Sequence, residues 1–285
     1  MLYARIIFLT SLAMIAFAGN SLLCRAALKQ TTIDAASFTT IRLISGAMML
    51  WLVVRMSRGT QTGRGNWLSA FALFVYAAFL SYAYASLTTA MGALLLFGAV
   101  QATMIGHGVW TGERLLKLQL LGLVIALAGL VGLLLPGLSA PPMFGSMLML
   151  SSGVAWGVYS LRGRGAGDPT RVTAGNFLRA VPIAAALSVL MVDRTSLDSA
   201  GIWYAVASGA LTSGIGYSIW YTALPALKAA KAATVQLSVP VIAALGGIIF
   251  LGEPLTLRMV LSSAAILGGI ALVILEKQHA NDTRR

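Results

Sequence analysis

Aromatic side chains recur three residues apart inside long apolar runs of this 285-residue chain. Trp156 and Tyr159 form one such pair, and Tyr217 and Trp220 form another. Because residues three apart on an α-helix lie on one face, each pair would present two rings in the same direction. Such rings stack on apolar or aromatic groups and attract cations to their faces. The pairs predict recognition of a small amphipathic molecule.

A third aromatic pair and two amides extend this set of candidate substrate-binding residues. Phe79 and Tyr82 are again three residues apart, and Gln101 lies in the middle of an apolar run, where a buried amide needs a partner. Gln236 precedes Pro240 by four residues, and that proline would free a backbone carbonyl near the amide. Each ring taken alone could instead serve helix packing or an aromatic belt at the membrane interface.

Groups that could break bonds are scarce in the chain. It contains no G-x(4)-G-K-[ST] phosphate cradle, and its only histidines and cysteine are His107, His279 and Cys24. Its eight acidic residues all fall at the ends of apolar runs, in loops or in the C-terminal tail. Proton-driven carriers usually hold a carboxylate at membrane depth. We therefore expect no enzyme activity, no metal and no cofactor, and we expect a solute to follow its gradient.

Composition indicates whether these residues lie in a soluble domain or in a membrane. Hydrophobic residues make up 58% of the chain and charged residues 10%, whereas a soluble domain has about a quarter charged residues. Apolar runs of roughly 17–22 residues recur, each long enough to cross a hydrocarbon core of about 30 Å. We predict an all-α polytopic membrane protein with ten transmembrane helices. They are expected at about residues 3–24, 35–55, 66–86, 88–110, 115–135, 144–161, 173–192, 200–221, 229–250 and 255–276.

Basic residues indicate how the spans are oriented. If the N-terminus is cytoplasmic, 14 of the 20 Lys and Arg residues fall on the cytoplasmic side and 4 on the outer side. This split follows the positive-inside rule and predicts a protein of the cytoplasmic (inner) membrane with both termini in the cytoplasm. The basic residues form no long patch, so the net charge of +12 does not indicate a nucleic-acid partner. The first run also contains Ala16-Phe17-Ala18, which fits a signal-peptidase site, and a cleaved signal peptide is the alternative to a first span.

The two remaining basic residues, Arg42 and Arg179, fall inside predicted spans. Each lies about seven residues into the second span of its half of the chain. Such a side chain can extend toward the interface or bind carbonyls of a neighbouring helix. Recognition of a substrate carboxylate is the alternative.

The pattern Gly-Glu-x-Leu occurs twice, 140 residues apart, each time between two apolar runs. Gly112 and Glu113 belong to the first copy, and Gly252 and Glu253 to the second. A glycine here can take the left-handed conformation that ends a helix. The glutamate would then lie in the first turn of the next helix, at its positive end. We interpret the four residues as structural hinges, with a direct substrate role as the alternative.

When the second half of the sequence is aligned with the first, further residues correspond. Ala16-Phe17 falls on Ala155-Trp156, so that Phe17 and Asn20 correspond to Trp156 and Tyr159. The alignment predicts two five-helix halves, residues 1–137 and 138–285. Because five is odd, the second half would enter the membrane from the opposite side. In secondary transporters of this build the substrate binds near the midplane between the halves, which is where we place Phe17 and Asn20.

These features resemble the EamA-type members of the drug/metabolite transporter superfamily. The resemblance rests on two inverted halves that each end in G-x(5)-G-E-x-L before a Gly-rich last span. The strings FAGNSLLCR (17–25), AWGVY (155–159), YSIW (217–220) and VPVIAALGG (239–247) are similar to amino-acid exporters of that superfamily. The resemblance implies a central cavity lined by the first, third, fourth, sixth, eighth and ninth spans. It also implies export of amino acids, neutral and aromatic ones included, by ATP-independent alternating access.

Three functions remain open on these grounds. The first is export of amino acids, and the second is transport of another small amphipathic metabolite or a drug cation. The third, a scaffold or receptor, leaves the inverted repeat unexplained. The expected partners are a small-molecule substrate and the lipid bilayer. The oligomeric state stays open, a monomer being sufficient.

Overall fold

A computed structural model describes residues 2–57, 63–112, 115–135, 137, 140–163, 167–227 and 235–282. This part of the chain is made of helices and turns and contains no strand. Eight of its helices are long and apolar enough to cross a membrane. An all-α polytopic membrane protein is thereby confirmed.

The helices follow one another with short connections. In chain order they are α1 (Leu2–Gln30), α2 (Ala35–Met56), α3 (Trp67–Tyr84), α4 (Thr89–Trp110), α5 (Lys117–Leu134), α6 (Met143–Arg162), α7 (Pro169–Leu190), α8 (Ser199–Ala207), a π-helix (Ser208–Ile215), α9 (Gly216–Ala223), α10 (Ser238–Leu251) and α11 (Leu257–Asp282). Two single 3₁₀ turns lie at Val192–Arg194 and Leu224–Ala226. The segments α8, π-helix and α9 run on without a break from Ser199 to Ala223.

Short polar side chains mark where several helices begin. The side chains of Asp34, Asn66, Thr88, Asp168 and Asp198 each accept a backbone N–H from the first turn of the following helix. The first four N–H groups of a helix have no partner within it, so such caps stabilise each start by about 0.5–2 kcal/mol. These polar residues therefore set the helix boundaries between the apolar runs.

Side-chain contacts show which helix ends lie together. Arg162, at the end of α6, donates to the side chains of Ser69 (3.3 Å) and Asn66 (3.4 Å) at the start of α3. We call this side of the molecule the α6–α7 end. On the opposite side the Asp34 N–H donates to the Ser196 carbonyl over 3.0 Å, which joins the α1–α2 loop to the α7–α8 loop. We call that side the α1–α2 end.

Close helix packing is clearest between α5 and α11. A Cβ placed on Gly122 would lie 2.6 Å from the Gly269 carbonyl oxygen, so only glycine permits this approach. Small residues at such crossings are typical of helix packing in membranes. The outer face of α5 leaves Val124 55% and Leu127 48% exposed, as expected of a lipid-facing surface.

The two glycines of the repeated Gly-Glu pattern both have positive φ. Gly252 ends α10 with φ 62° and ψ 27°, and Gly112 follows α4 with φ 94°. This is the left-handed region predicted for a helix end, where a side chain would be strained. Glu113 lies outside the described residues.

The predicted position of Glu253 was wrong. It was expected in the first turn of the next helix, but α11 begins at Leu257. The Glu253 N–H donates to the Gly247 carbonyl over 3.1 Å, and this bond folds the residue back onto the end of α10. Its carboxylate instead accepts the Thr89 N–H at the start of α4. It therefore meets the positive end of a different helix.

Candidate functional site

A cavity of about 730 Å³ lies in the middle of the helix bundle. Helices α1, α3, α4, α6, α7 and α9 and the π-helix contribute to its wall. Near the α6–α7 end the wall includes Gly163, Gly167 and Pro169, which border the loop between these helices. The cavity therefore reaches from the middle of the molecule toward the α6–α7 end. Its volume is typical of small-molecule sites.

Eight of the ten residues predicted to bind substrate lie in the wall of this cavity. They are Phe17, Asn20, Gln101, Trp156, Tyr159, Tyr217, Trp220 and Gln236. They come from five separate stretches of the chain, and the fold brings them to one space.

Phe79 and Tyr82 are not among the described residues that line the cavity. Helix α3 contributes Tyr76 instead. At 100° per residue, Phe79 is rotated from Tyr76 by about 60° and Tyr82 by about 120° around the helix axis. The sequence shows that α3 carries aromatic residues but not which of them faces inward. The same apolar run also contains Tyr76, which lies about one helical turn before Phe79.

Trp156 lies at the centre of a group of rings. Its ring centroid is 4.7 Å from that of Tyr76, 5.3 Å from that of Tyr159 and 5.4 Å from that of Tyr217. The last two contacts are stacked, with interplanar angles of 27° and 26°. Aromatic pairs of this kind are worth about 0.5–1.5 kcal/mol beyond the area they bury.

The rings continue from Tyr217 toward α1. The Tyr217 centroid is 5.7 Å from that of Phe17, and Phe17 is 6.0 Å from Trp220. The rings of Phe17, Tyr76, Trp156, Tyr159, Tyr217 and Trp220 thus form one surface, which we call the aromatic wall. It joins α1, α3, α6 and α9 around the cavity.

A hydrogen-bonded polar group closes the cavity on the side away from the α6–α7 end. The Asn20 Nδ2 donates to the Tyr76 hydroxyl over 3.4 Å. The Asn20 Oδ1 accepts from Ser208 (2.8 Å) and from Thr212 (3.3 Å). With Ser213, which also lines the cavity, we call these five residues the polar end. All five are buried.

The π-helix supplies three residues of the polar end. Sequence reasoning missed Thr212 and Ser213, although the run SGALTSG places small and polar residues inside an apolar stretch. π-Helical turns are rare and are frequently found at functional sites. The π-helix in the eighth predicted span agrees with the presence of cavity-lining residues there.

A second polar group lies nearer the α6–α7 end. The Tyr159 hydroxyl accepts from the Asn176 Nδ2 and donates to the Thr173 Oγ1, each over 3.3 Å, and Thr173 donates to the Tyr221 hydroxyl over 3.3 Å. The Asn176 Oδ1 accepts the Asn66 N–H over 2.9 Å. Thr173, Asn176 and Tyr221 line the cavity and were missed in the sequence. Helix α7, which the resemblance implied to be peripheral, thus contributes to the wall.

An ion pair closes the molecule at the α1–α2 end. The Arg25 Nε donates to the Glu253 Oε1 over 3.1 Å, and the two side chains are only 9% and 8% exposed. The Arg25 Nη1 also donates to the Tyr84 carbonyl (2.8 Å), and the Glu253 Oε2 accepts the Thr89 N–H (2.8 Å). We call this set the Arg25–Glu253 junction. It ties α1, α3, α4 and the α10–α11 turn together.

The side chains that line the cavity are uncharged. Among the described residues no aspartate, glutamate, histidine, lysine or arginine contributes to the wall. His107 is exposed on α4. The described part of the chain also holds no group of three or more His, Cys, Asp or Glu residues that could bind a metal ion.

Comparison with known proteins identifies the family. Residues 143–275 match the EamA-like transporter family. The chain is 58% identical to an uncharacterized protein of Pseudomonas aeruginosa over 95% of its own length and 94% of that protein. The chain belongs to the EamA-like transporter family. This EamA-family protein is therefore a membrane transporter of the drug/metabolite transporter superfamily.

Other similar proteins carry transporter names. The chain is 28% identical to an uncharacterized transporter of Archaeoglobus fulgidus over 73% of its length and 75% of that protein. It is 36% identical to the threonine/homoserine exporter RhtA of Salmonella typhimurium, over half of each chain. A crystal structure of a protein with 19% identity matches 97% of this chain and 99% of that chain with a TM-score of 0.67, which shows a shared fold.

Proposed function

We propose that this EamA-family protein exports amino acids, including neutral and aromatic ones, by ATP-independent alternating access. The observation that carries the proposal is the cavity, where an aromatic wall adjoins a buried polar end in an uncharged lining. The apolar or aromatic side chain of an amino acid can pack on the aromatic wall. Its charged groups can form hydrogen bonds at the polar end. The name of its relative RhtA, a threonine/homoserine exporter, supports the same class of substrate.

Ten spans in two inverted halves are part of this proposal. The continuous segment α8–π-helix–α9 and helix α10, with the residues before it, would add two spans to the eight long helices. Residues 1–137 and 138–285 would be the two halves. The positive φ of both Gly112 and Gly252 supports this assignment. So do Phe17 and Trp156, which correspond in the two halves and both line the cavity.

The proposed transport cycle starts from the state that the structure describes. The positive-inside rule places the α6–α7 end in the cytoplasm, with both termini, and the protein in the inner membrane. The cavity is then open inward, and the Arg25–Glu253 junction closes it on the outer side. Export would require this junction to separate while the α6–α7 end closes. A cysteine replacing the exposed Ser57 should resist an impermeant thiol reagent in intact cells, and one replacing the exposed Thr195 should react.

Counterflow in proteoliposomes tests the proposed substrates. Vesicles loaded with an unlabelled amino acid should take up labelled L-threonine or L-phenylalanine faster than protein-free vesicles. As a matched control, Leu127→Ala on the lipid-facing side of α5 should behave as the wild type. Organic cations belong in the same panel, because aromatic faces also attract cations. Counterflow with cations alone would reject amino acids as the substrate.

A further inference from the structure

Arg42 is buried beside the cavity with much of its hydrogen-bonding capacity unused. It lies on α2 and is 1% exposed. Its Nη2 donates to the Tyr76 hydroxyl over 3.3 Å, and its Cζ lies 5.4 Å from the centre of the Tyr76 ring. Its Nε and Nη1 have no hydrogen-bond partner among the described residues. A buried guanidinium carries five N–H donors, so this arrangement leaves most of them unsatisfied.

The charge of Arg42 is also uncompensated in the described part of the chain. The titratable groups that act on it there are Tyr76, Tyr217 and Cys24, which are neutral residue types. The ion pair found in the described residues is that of Arg25 with Glu253. A buried charge without a counter-charge costs several kcal/mol. The site therefore favours an anion that the described residues do not supply.

The other arginine inside a predicted span is bound differently. Arg179 donates to the backbone carbonyls of Arg64 and Gly175. Its guanidinium thus links neighbouring backbone segments, the structural role considered for both residues. Arg42 makes no such bond to a carbonyl in the described residues. The two guanidinium groups therefore have different surroundings.

Tyr76 connects Arg42 to the cavity. Its hydroxyl oxygen accepts from Arg42 and from Asn20, and its ring lines the cavity. With both lone pairs engaged, the hydroxyl proton remains for donation. It donates to no described residue. A donor that is supported by a cation and belongs to the wall of a cavity fits an anionic oxygen.

Ser213 adds a second hydroxyl to the wall of the same cavity. Its side chain lines the cavity and is 1% exposed, and its Oγ has no partner among the described residues. The Asn20 Oδ1 already accepts from Ser208, and the Thr212 hydroxyl donates to the Ser208 carbonyl over 2.7 Å. The polar end therefore holds a buried hydroxyl without a described partner, with a buried positive charge behind it.

We propose that the polar end binds the carboxylate of the transported molecule. The Tyr76 and Ser213 hydroxyls donate to the carboxylate, and Arg42 acts as a positioning residue that polarises Tyr76 and supplies the charge. The inference rests on the proposed function and specifies its substrate class as small molecules with a free carboxylate. The substrate side chain then lies on the aromatic wall. Amines without a carboxylate would leave the Arg42 charge unbalanced and would bind poorly.

Matched acids and amides test this site in the purified full-length protein. Binding is followed by intrinsic fluorescence, since Trp156 and Trp220 line the cavity. The probes are L-threonine against L-threoninamide, L-phenylalanine against L-phenylalaninamide, and 3-phenylpropionate against 3-phenylpropionamide. The wild type should bind each acid about tenfold or more tightly than its amide, because hydrogen bonds to ionised groups are the stronger ones. Arg42→Gln and Tyr76→Phe should each reduce this ratio to about threefold or less.

Two further variants separate a positioning role from a structural one. Arg42→Lys keeps the charge and should restore part of the preference for the acid. Arg179→Gln removes the other span arginine and should leave the ratio unchanged. If Arg42→Gln does not fold, the ratio for Tyr76→Phe and Ser213→Ala decides the question.

The outcomes distinguish this inference from the proposed function. If the wild type binds acids and amides equally, or if both Arg42→Gln and Tyr76→Phe keep the wild-type ratio, the carboxylate site is overturned. If neither amino acid binds but 3-phenylpropionate binds in an Arg42-dependent manner, amino-acid export fails and the carboxylate site stands. If no acid in the panel binds, both are rejected.

Discussion

The Arg25 guanidinium contacts the Glu253 carboxylate over 3.1 Å and joins α1 to the α10–α11 turn at the end of the molecule opposite the cavity mouth. The two residues are separated by 228 positions in the chain. Because Glu253 also accepts the Thr89 N–H, its loss removes a cap of α4 as well as an ion pair. The junction is therefore the contact whose loss should most directly open the α1–α2 end.

Glu253→Gln should make this end accessible. It leaves Arg25 without its counter-charge, and removing one partner of a buried pair costs about 3–5 kcal/mol. A cysteine replacing the fully buried Thr89, in a Cys24→Ser background, should react several-fold faster with an impermeant thiol reagent in this variant. A cysteine replacing the exposed Thr195 at the same end should react at an unchanged rate. Equal rates at position 89 with and without Glu253→Gln would show that the junction does not hold this end closed.

Trp156→Ala should weaken transport of aromatic amino acids by several-fold to tens-fold. The variant removes three ring contacts of the aromatic wall, each worth about 0.5–1.5 kcal/mol. The measurement is the initial rate of L-phenylalanine counterflow, corrected for the amount of protein in the vesicles. The matched control is Leu127→Ala on α5. Normal transport by a well-expressed Trp156→Ala protein would mean that these rings serve packing alone.

Transport should not require a proton gradient. The described lining of the cavity contains no carboxylate and no histidine, and His107 is exposed on α4 outside it. Counterflow of L-threonine should proceed at equal pH on both sides, and a pH gradient alone should not drive accumulation. Accumulation driven by the pH gradient and abolished by His107→Asn would contradict this prediction and make His107 the coupling residue.

The stability of the protein should fall in acid through Asp34. Burial raises the pKa of this carboxyl, but hydrogen bonds from the Ser37 side chain and from the N–H groups of Ser37, Ser196 and Ala36 outweigh it and hold the pKa below its usual value. The stabilisation is fully present above the unfolded pKa of about 3.9 and is lost as the pH falls through the lower folded value. Asp34→Asn keeps the helix cap. Its Tm should lie below that of the wild type near neutral pH and approach it in acid, whereas a constant difference would exclude this linkage.

Local patterns in the sequence determine much of this fold. Lengths of apolar runs and glycines such as Gly252 depend on neighbours in the chain, and their predicted roles agree with the helices observed. The caps Asp34 and Asn66 are equally local features, although we did not predict them. Aromatic pairs three residues apart also indicated correctly that Trp156 and Tyr159 lie together. These features need no knowledge of which helices pack against each other.

Features that depend on distant partners could not be predicted in this way. Tyr76 rather than Phe79 reaches the cavity because neighbouring helices fix the rotation of α3. The carboxylate of Glu253 binds Arg25 and Thr89, which are far away in the chain and brought together only by the fold. The π-helix could not be predicted from the sequence either, because its eight residues continue an apolar run without any helix-breaking proline.

The π-helix has a consequence for insertions and deletions in this chain. Its wider turns carry surplus residues relative to an α-helix of the same length, since the bonds span five residues instead of four. Removing one residue between Ser208 and Ile215 would therefore let these turns tighten to α-helical ones and leave Tyr217 and Trp220 facing nearly the same way. An extra residue in the α-helical segment just before Tyr217 would instead rotate both rings by about 100° around the helix axis and away from the cavity. The eighth span should therefore tolerate the loss of one residue from its π-helical turns better than the gain of one residue ahead of Tyr217.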